Sequence, residues 1–128
     1  LQCYGPSPVR FPVEKYCSDI QMVLKYGIPK EKLVAGVPFY GVTKDNSKKT
    51  EAYFSFVQNG LITSPAENEV NYKGEVYVFD GQDNIRIKTR YAKEQGLKGM
   101  MSWDLATDLP LDNNQSLLKA MIEELNKE

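Results

Sequence analysis

The stretch KLVAGVPFYG, residues 32–41, decides the fold class. Its centre, Leu33 to Val37, is apolar without polar alternation, which is typical of a strand that is buried on both faces. A second short apolar run, KGMMSW at residues 98–103, has the same character. Because strands of this kind occur where helices cover a parallel sheet, the two runs predict an α/β fold.

Helical patterns alternate with these two runs. A first helix is expected to begin after Pro12 and to end before Gly27, and a second to end before Gly96. The third follows the second run and closes the chain. The apolar positions that recur at three- and four-residue steps are Val13, Tyr16, Cys17, Ile20, Val23 and Leu24 in the first helix, Ile87, Tyr91 and Ala92 in the second, and Leu117, Leu118, Met121, Ile122 and Leu125 in the third.

Polar residues are available to begin the two later helices. Asp83 or Asn84 can serve as the N-cap of the second helix, and the third is expected to start near Asn113 or Asn114. Asp80 is assigned to a turn, in preference to a calcium site shared with Asp83.

Residues 42–82 interrupt this rhythm. EAYFSFVQNG, residues 51–60, predicts a short helix that ends at Gly60. EVNYKGEVYVFDG, residues 69–81, alternates apolar and polar residues on both sides of Lys73-Gly74, the pattern of a β-hairpin. We therefore expect a small α+β insertion, whose aromatic side chains form a core of their own rather than the wall of a groove.

Composition excludes several classes of function. The 128 residues carry a net charge of −1 without a basic cluster, so binding to nucleic acid is not expected. No apolar run reaches the length of a membrane span. The chain has no histidine, which removes Ser-His-Asp and Cys-His catalysis and the usual zinc sites. Cys3 and Cys17 are interpreted as free thiols in preference to a disulfide.

Candidate site residues follow from the expected sheet. Ligands of parallel α/β folds bind at the carboxyl ends of the strands. Tyr40 ends the first run, and Trp103, the only tryptophan, ends the second and precedes Asp104. If LQCYG, residues 1–5, ends a further strand, Gln2 and Tyr4 point to the same side of that edge.

Four stretches together resemble glycoside hydrolase family 18, the chitinases and their relatives. KLVAGVPFYG is similar to the seventh-strand signature of that family, and GLKGMMSWDLATD to its eighth strand. DNIRIKTRYAKEQGL is similar to the helix between these strands, and LQCYG to the sixth strand of members that have a Gln-x-Tyr pair. The chain departs from many members at Val42, where they have Arg, and from some at Gly5, where they have Asp.

The resemblance implies a partial TIM (β/α)8 barrel, comprising about strands six to eight. Residues 1–41 would form one part of the barrel, with the end of strand six, a helix and strand seven. Residues 42–82 would form the small α+β insertion, and residues 83–128 the second barrel part, with a helix, strand eight and the C-terminal helix.

The resemblance also implies a reaction, the retaining hydrolysis of β-1,4-linked N-acetylglucosamine polymers. In this family the acetamido oxygen of the substrate attacks the anomeric carbon while a glutamic acid protonates the leaving oxygen. Tyr4 and Gln2 would act on the acetamido group, Trp103 would lie beneath the sugar, and Tyr40 would line the cleft. No cofactor and no metal ion are implied.

The catalytic glutamate of this family belongs to an Asp-x-x-Asp-x-Asp-x-Glu motif on strand four. No such stretch occurs in this chain, so the isolated chain is expected to be inactive. Its implied partners are chitin or another N-acetylglucosamine-containing oligosaccharide and the missing N-terminal part of the barrel. Self-association through open strand edges is also expected. The family implies a secreted, periplasmic or cell-surface location.

Three alternatives remain open at this stage. In the first, the parent protein is a lectin that keeps the cleft without the catalytic acid. In the second, it is an endo-β-N-acetylglucosaminidase that acts on N-glycans. In the third alternative the chain is an α/β fragment with no function of its own, and Trp103 belongs to its core. Asp104 is interpreted as a turn or cap residue rather than a ligand-binding group.

Overall fold

A computed structural model describes residues 11–45 and 47–127. Gln2, Cys3 and Tyr4 therefore lie outside the described residues. The helices are Val13–Lys25 (α1), Tyr53–Gln58 (α2), Gln82–Glu94 (α3) and Leu117–Leu125 (α4), with 3₁₀ turns at Lys30–Lys32 and Leu105–Thr107. The strands are Val34–Pro38 (β1), Tyr40–Thr43 (β2), Thr50–Ala52 (β3), Glu69–Tyr72 (β4), Glu75–Val78 (β5) and Gly99–Trp103 (β6).

The two apolar runs form one parallel pair of strands. β1 and β6 pair in register from Val34 opposite Gly99 to Pro38 opposite Trp103. Ala35 and Val37 of β1 are fully buried. The prediction of parallel strands inside an α/β fold is therefore confirmed, and both strands end at the same edge.

α1 packs against the parallel pair and against α3. Tyr16 and Ile20 are fully buried on its inner face. The Tyr16 hydroxyl donates a hydrogen bond of 2.9 Å to the carbonyl of Lys88 in α3. The helix ends with Tyr26 and with Gly27 at a φ of 98°, a left-handed conformation that glycine adopts without steric cost. Both predicted ends of the first helix are confirmed.

The predicted start of α3 is wrong. Its N-cap residue is Gly81, and Asp83 lies in the first turn. Asp80 does not serve a turn either, because its carboxylate is buried against the ammonium group of Lys88 at 2.8 Å. Asn84 donates a hydrogen bond to the same carboxylate at 3.1 Å. Asp80 and Asn84 therefore belong to a polar cluster around the buried Lys88, a role that the local sequence did not indicate.

The predicted start and inner face of α4 are also partly wrong. Ser116 is its N-cap residue, so the helix begins later than Asn113 or Asn114. Ile122 and Leu125 are 38% and 39% exposed. The buried positions are Leu117, Ala120, Met121 and Glu124, a stripe with the spacing of one helical face. Glu124 replaces an apolar residue there because Arg90 of α3 donates to it at 3.1 Å.

The segment between β1 and α3 folds as a separate small sheet. Its strands are antiparallel in the order β3-β2-β5-β4, and the hairpin predicted at Lys73-Gly74 forms with both residues at positive φ. α2 places Phe56 against the rings of Tyr72, Tyr77 and Phe79, with centroids 5.7, 5.7 and 5.3 Å apart. The aromatic residues thus form a core, as expected. Within the described residues, no helix has the length and apolar character that crossing a membrane requires.

Gly81 leaves no room for a side chain where the small sheet meets α3. Its amide donates to Asn68 Oδ1 at 2.8 Å, and a Cβ atom would lie 2.1 Å from the carbonyl oxygen of Glu67. We expect Gly81→Ala to lower the free energy of unfolding by about 1–3 kcal/mol in urea denaturation, because the backbone must shift. Gly99→Ala is the control, since its Cβ meets nothing within 4 Å. Equal losses in both variants would contradict the steric explanation.

Glu124 makes stability depend on pH. Burial by itself raises the pKa of Glu124, but the hydrogen bond and charge of Arg90 and the charge of Lys127 hold that pKa below its usual value of 4.5. The ionised carboxylate therefore stabilises the fold above the unfolded-state pKa, and this contribution is lost as the pH falls through the folded-state pKa. We expect Glu124→Gln to flatten the fall in the free energy of unfolding below pH 4.5, measured by urea denaturation at several pH values.

The control for this measurement is Glu123→Gln. Glu123 pairs with Arg86 on the same two helices, but its side chain is 49% exposed, against 3% for Glu124. Because solvent screens exposed ion pairs, this variant should keep the pH dependence of the unmodified protein. If Glu124→Gln leaves the fall in the free energy of unfolding at low pH unchanged, the Arg90–Glu124 ion pair does not contribute to that pH dependence.

Candidate functional site

The carboxyl ends of β1 and β6 place two of the predicted site residues, Tyr40 and Trp103, at one edge, whereas Gln2 and Tyr4 lie outside the described residues. The amide of Phe39 donates a hydrogen bond of 2.7 Å to the carbonyl of Trp103, which extends the parallel pairing one residue beyond β1. The residues that follow each strand therefore leave the sheet at the same edge. Tyr40 and Asp104 are placed there by the backbone alone.

Trp103 presents an aromatic surface at this edge. Its side chain is 57% exposed, whereas Phe39, hydrogen-bonded to it through the backbone, is fully buried. Leu105, two residues further on, is 63% exposed. Contiguous exposed apolar surface of this kind is typical of binding and interaction sites. The Trp103–Asp104 peptide bond is cis.

Tyr40 occupies a more enclosed position than Trp103. It is half-buried as the first residue of β2, where its backbone pairs with Ala52. The ring of Phe11 packs edge-on against its ring, with centroids 6.4 Å apart and planes at 81°. Tyr40 therefore has one face supported by the protein, which limits its freedom to rotate.

Asp104 begins the 3₁₀ turn that follows β6. Its carbonyl accepts hydrogen bonds from the Thr107 amide at 3.1 Å and from the Thr107 hydroxyl at 2.8 Å. The interpretation of Asp104 as a turn or cap residue is thus confirmed.

Asp108 anchors the loop between Trp103 and α4, a role that sequence reasoning missed. Its carboxylate accepts hydrogen bonds from the amides of Leu117 and Leu118 at 2.8 Å each and from the hydroxyl of Ser116 at 2.9 Å. An anion at a helix N-terminus satisfies amides that lack partners within the helix. In the sequence, Asp108 is only an acid eight residues before Ser116. Its contact with the start of α4 depends on the path of the intervening loop, which the sequence does not show.

Side chains of α2 and α3 hold the same loop through hydrogen bonds to its backbone. The hydroxyl of Tyr53 donates to the carbonyl of Gln115 at 2.9 Å. Burial, and then the nearby carboxylate of Asp108, raise the pKa of Tyr53, so its phenol remains a donor throughout the ordinary pH range. Gln82 of α3 donates to the carbonyl of Asn114 at 2.7 Å. The segment after Trp103 is therefore held to three different elements.

Lys88 forms the second polar centre that the sequence did not predict. It is fully buried in α3 and donates to both oxygens of Asp80 at 2.9 and 2.8 Å and to the carbonyl of Phe11 at 2.8 Å. The signal was a lysine on the helical face of Ile85 and Ala92, where an apolar residue is expected.

The remaining ionisable groups include no metal-binding cluster and no activated thiol in the described part of the chain. Among residues 11–45 and 47–127, no three His, Cys, Asp or Glu side chains are grouped so as to hold a metal ion. Cys17 is half-buried with a free thiol, and burial, followed by the charge of Glu14, raises its pKa. Such a thiol is mostly protonated near neutral pH, which makes it a poor nucleophile.

Comparison with known protein families gives a match that includes both strands of the parallel pair and Trp103. The sequence model of the glycosyl hydrolases family 18 matches residues 4–108.

The chain belongs to this family.

Characterised relatives from distant organisms match the chain over much of its length. An endochitinase of Brugia malayi is 30% identical over 112 residues, covering 64% of this chain and 22% of that protein. A class V chitinase of Arabidopsis thaliana is 31% identical over 111 residues, covering 66% of this chain and 29% of that protein. The chain thus spans less than a third of the length of these family members.

A solved structure of the family has the same fold over nearly the whole chain. The GH18 chitinase ChiB from the chitin utilization locus of Flavobacterium johnsoniae superposes with a TM-score of 0.73 at 26% identity, covering 95% of this chain and 39% of that chain. The α/β fold described above is therefore that of part of a family chitinase.

Because Trp103 is exposed, a stability measurement can show whether it is a site residue or a core residue. We expect Trp103→Ala to change the free energy of unfolding by less than about 1 kcal/mol, because little of the side chain packs against the protein. Phe39→Ala, one hydrogen bond away and fully buried, should cost about 3–5 kcal/mol. Urea denaturation of both variants is the measurement, and equal losses would place Trp103 in the core.

Proposed function

We propose that this chain is the C-terminal portion of a family 18 chitinase that hydrolyses β-1,4-linked N-acetylglucosamine polymers with retention of configuration. The observation that carries the proposal is the exposed Trp103 at the carboxyl end of β6, in a chain of this family. The indole offers a wide apolar face to the C–H face of a sugar ring at low conformational cost. That the related proteins are named chitinases supports the choice of substrate.

In the proposed complete protein, β1 and β6 are strands seven and eight of a (β/α)8 barrel. The small sheet and α2 form the insertion after strand seven, and residues 1–5 end strand six. This arrangement would close the barrel around an active site at the edge where Trp103 and Tyr40 lie. Active sites of such barrels are built from the segments that follow the strands, in agreement with the position of both residues.

The proposed reaction uses the acetamido group of the substrate as the nucleophile. Tyr4 would donate its hydroxyl to this group, and Gln2 would hold it from the side. Trp103 would support the sugar at the point of cleavage, and Tyr40 would line the cleft. The glutamic acid that protonates the leaving oxygen would come from strand four, which the Asp-x-x-Asp-x-Asp-x-Glu motif marks and which this chain does not contain.

The proposal includes the behaviour of the chain by itself. Without a general acid the leaving oxygen departs as an alkoxide, so the isolated chain should not cleave chitin. Its open strand edges should pair with other copies of the chain when the N-terminal part of the barrel is absent. A secreted, periplasmic or cell-surface location fits an enzyme that acts on an insoluble polymer.

The deciding experiment compares the full-length protein with its Trp103→Ala variant on chitooligosaccharides. We expect the full-length protein to release shorter oligosaccharides and the variant to lose at least about tenfold in kcat/KM, which corresponds to about 1.4 kcal/mol. Tyr26→Ala is the matched control, because Tyr26 is an aromatic residue that is 85% exposed and precedes β1. It therefore lies away from the edge that carries Trp103.

The other outcomes assign other functions. Binding of chitooligosaccharides without cleavage would make the protein a carbohydrate-binding relative that lacks the catalytic acid. Cleavage of N-glycans in place of chitooligosaccharides would identify an endo-β-N-acetylglucosaminidase. A protein that neither binds nor cleaves these substrates, or a Tyr26→Ala variant as impaired as Trp103→Ala, would overturn the assignment of the site.

A further inference from the structure

The buried pair Lys88–Asp80 joins three separate segments of the chain. Both side chains are fully buried. Asp80 lies where the chain leaves the small sheet, and Lys88 lies in α3. The carbonyl of Phe11, just before α1, accepts the remaining hydrogen bond of the lysine at 2.8 Å. Since an ammonium group has three N–H donors, two contacts to Asp80 and one to Phe11 use all of them.

Stability alone does not account for this pair. The desolvation of two buried charges offsets most of their attraction, and apolar residues of similar volume are often as stable. The neighbouring inward positions of α3, Ile85 and Ala92, are apolar, so an apolar side chain at position 88 would continue the same face. An apolar side chain at position 88 would have no donor for the backbone carbonyl of Phe11, which Lys88 holds in place by a hydrogen bond.

Phe11 connects the pair to the candidate site. Its side chain is 5% exposed, and its ring packs edge-on against Tyr40 at the carboxyl edge. Lys88 is thus hydrogen-bonded to the backbone of the residue whose ring packs against Tyr40.

The lysine is itself oriented by α1. The ring of Tyr16 lies 5.3 Å from the lysine nitrogen, and the Tyr16 hydroxyl donates to the carbonyl of Lys88. An ammonium group at this distance is attracted to the face of an aromatic ring, so the Tyr16 ring adds a contact that helps to fix the lysine side chain. Burial raises the pKa of Asp80, and the charge of Lys88 opposes that shift.

We propose that Lys88, paired with Asp80, is a positioning residue of the substrate cleft, which fixes Phe11 and through it the cleft-lining Tyr40. The inference rests on the proposed function, because it assigns Tyr40 to a sugar-binding cleft. Lys88 itself touches no substrate in this proposal. Its effect should therefore be on substrate binding, which depends on where Tyr40 lies.

The test replaces the pair as a unit in the full-length protein. Lys88→Met combined with Asp80→Leu removes both charges without leaving one of them buried alone. We expect KM for chitooligosaccharides to rise about tenfold while kcat stays within about twofold and the melting temperature is retained, the pattern of lost binding without lost chemistry. Arg86→Met with Glu123→Leu is the matched control, since it removes a more exposed ion pair whose arginine lies in the same helix as Lys88. Its KM should not change.

A second variant keeps the proposal testable if the paired replacement does not fold. Phe11→Leu leaves Lys88 and Asp80 in place but removes the ring that supports Tyr40. It should raise KM by a similar factor, and in the folded paired variant it should add little, because both changes act through the same contact. A normal KM in a folded paired variant, or in Phe11→Leu, would overturn the positioning role.

The wild-type measurement separates the two proposals. A wild-type protein that does not bind or cleave chitooligosaccharides overturns the proposed function, and the positioning role with it. An active wild-type protein whose paired variant has an unchanged KM overturns the positioning role alone. Loss of kcat at constant KM with a lowered melting temperature would show that the pair serves only the fold.

Discussion

The parallel pairing of β1 with β6 is the interaction on which the rest of the structure depends. Five consecutive residue pairs bring together two segments that are more than sixty positions apart in the sequence. Because the strands are parallel, their carboxyl ends lie at one edge, and the hydrogen bond from Phe39 to Trp103 closes that edge. Tyr40 and Trp103, the two described residues that are proposed to bind the substrate, lie at these two ends. The helices and the small sheet serve to hold those residues in place.

Polar contacts, more than apolar packing, hold the site segments to this frame. Asp108 secures the loop after Trp103 to the start of α4, and Lys88 secures Phe11 behind Tyr40. Each contact joins a charged side chain to backbone groups of a distant segment. Hydrogen bonds of this kind are directional, so they specify one geometry where apolar contacts would tolerate several. These contacts give a reason for burying Lys88 and Asp108, although apolar side chains of similar size could fill the same space.

The elements of the fold were predictable because they are encoded over short distances. Apolar runs indicated β1 and β6. Gly27 and Gly74 indicated the end of the first helix and the turn of the hairpin, and the structure has both at positive φ. The inner face of α4 was only partly predictable. Ile122 and Leu125 have the residue types of a core, but the helix presents the neighbouring stripe that includes Glu124. Glu124 can lie on the inward stripe because Arg90 on another helix pairs with it, and no local pattern contains that information.

The sequence by itself determined the α/β class, the alternation of helices and strands, and the candidate residues Tyr40 and Trp103, because periodicity and turn residues act within a few positions. The tertiary structure alone decided that Trp103 is exposed while Phe39 beside it is buried, and that Tyr40 is supported by Phe11. It also decided that Asp80 serves a buried lysine instead of a turn. These outcomes depend on which distant segments meet, and the free energy of a buried charge or an aromatic contact is set by partners that the linear order of residues does not reveal.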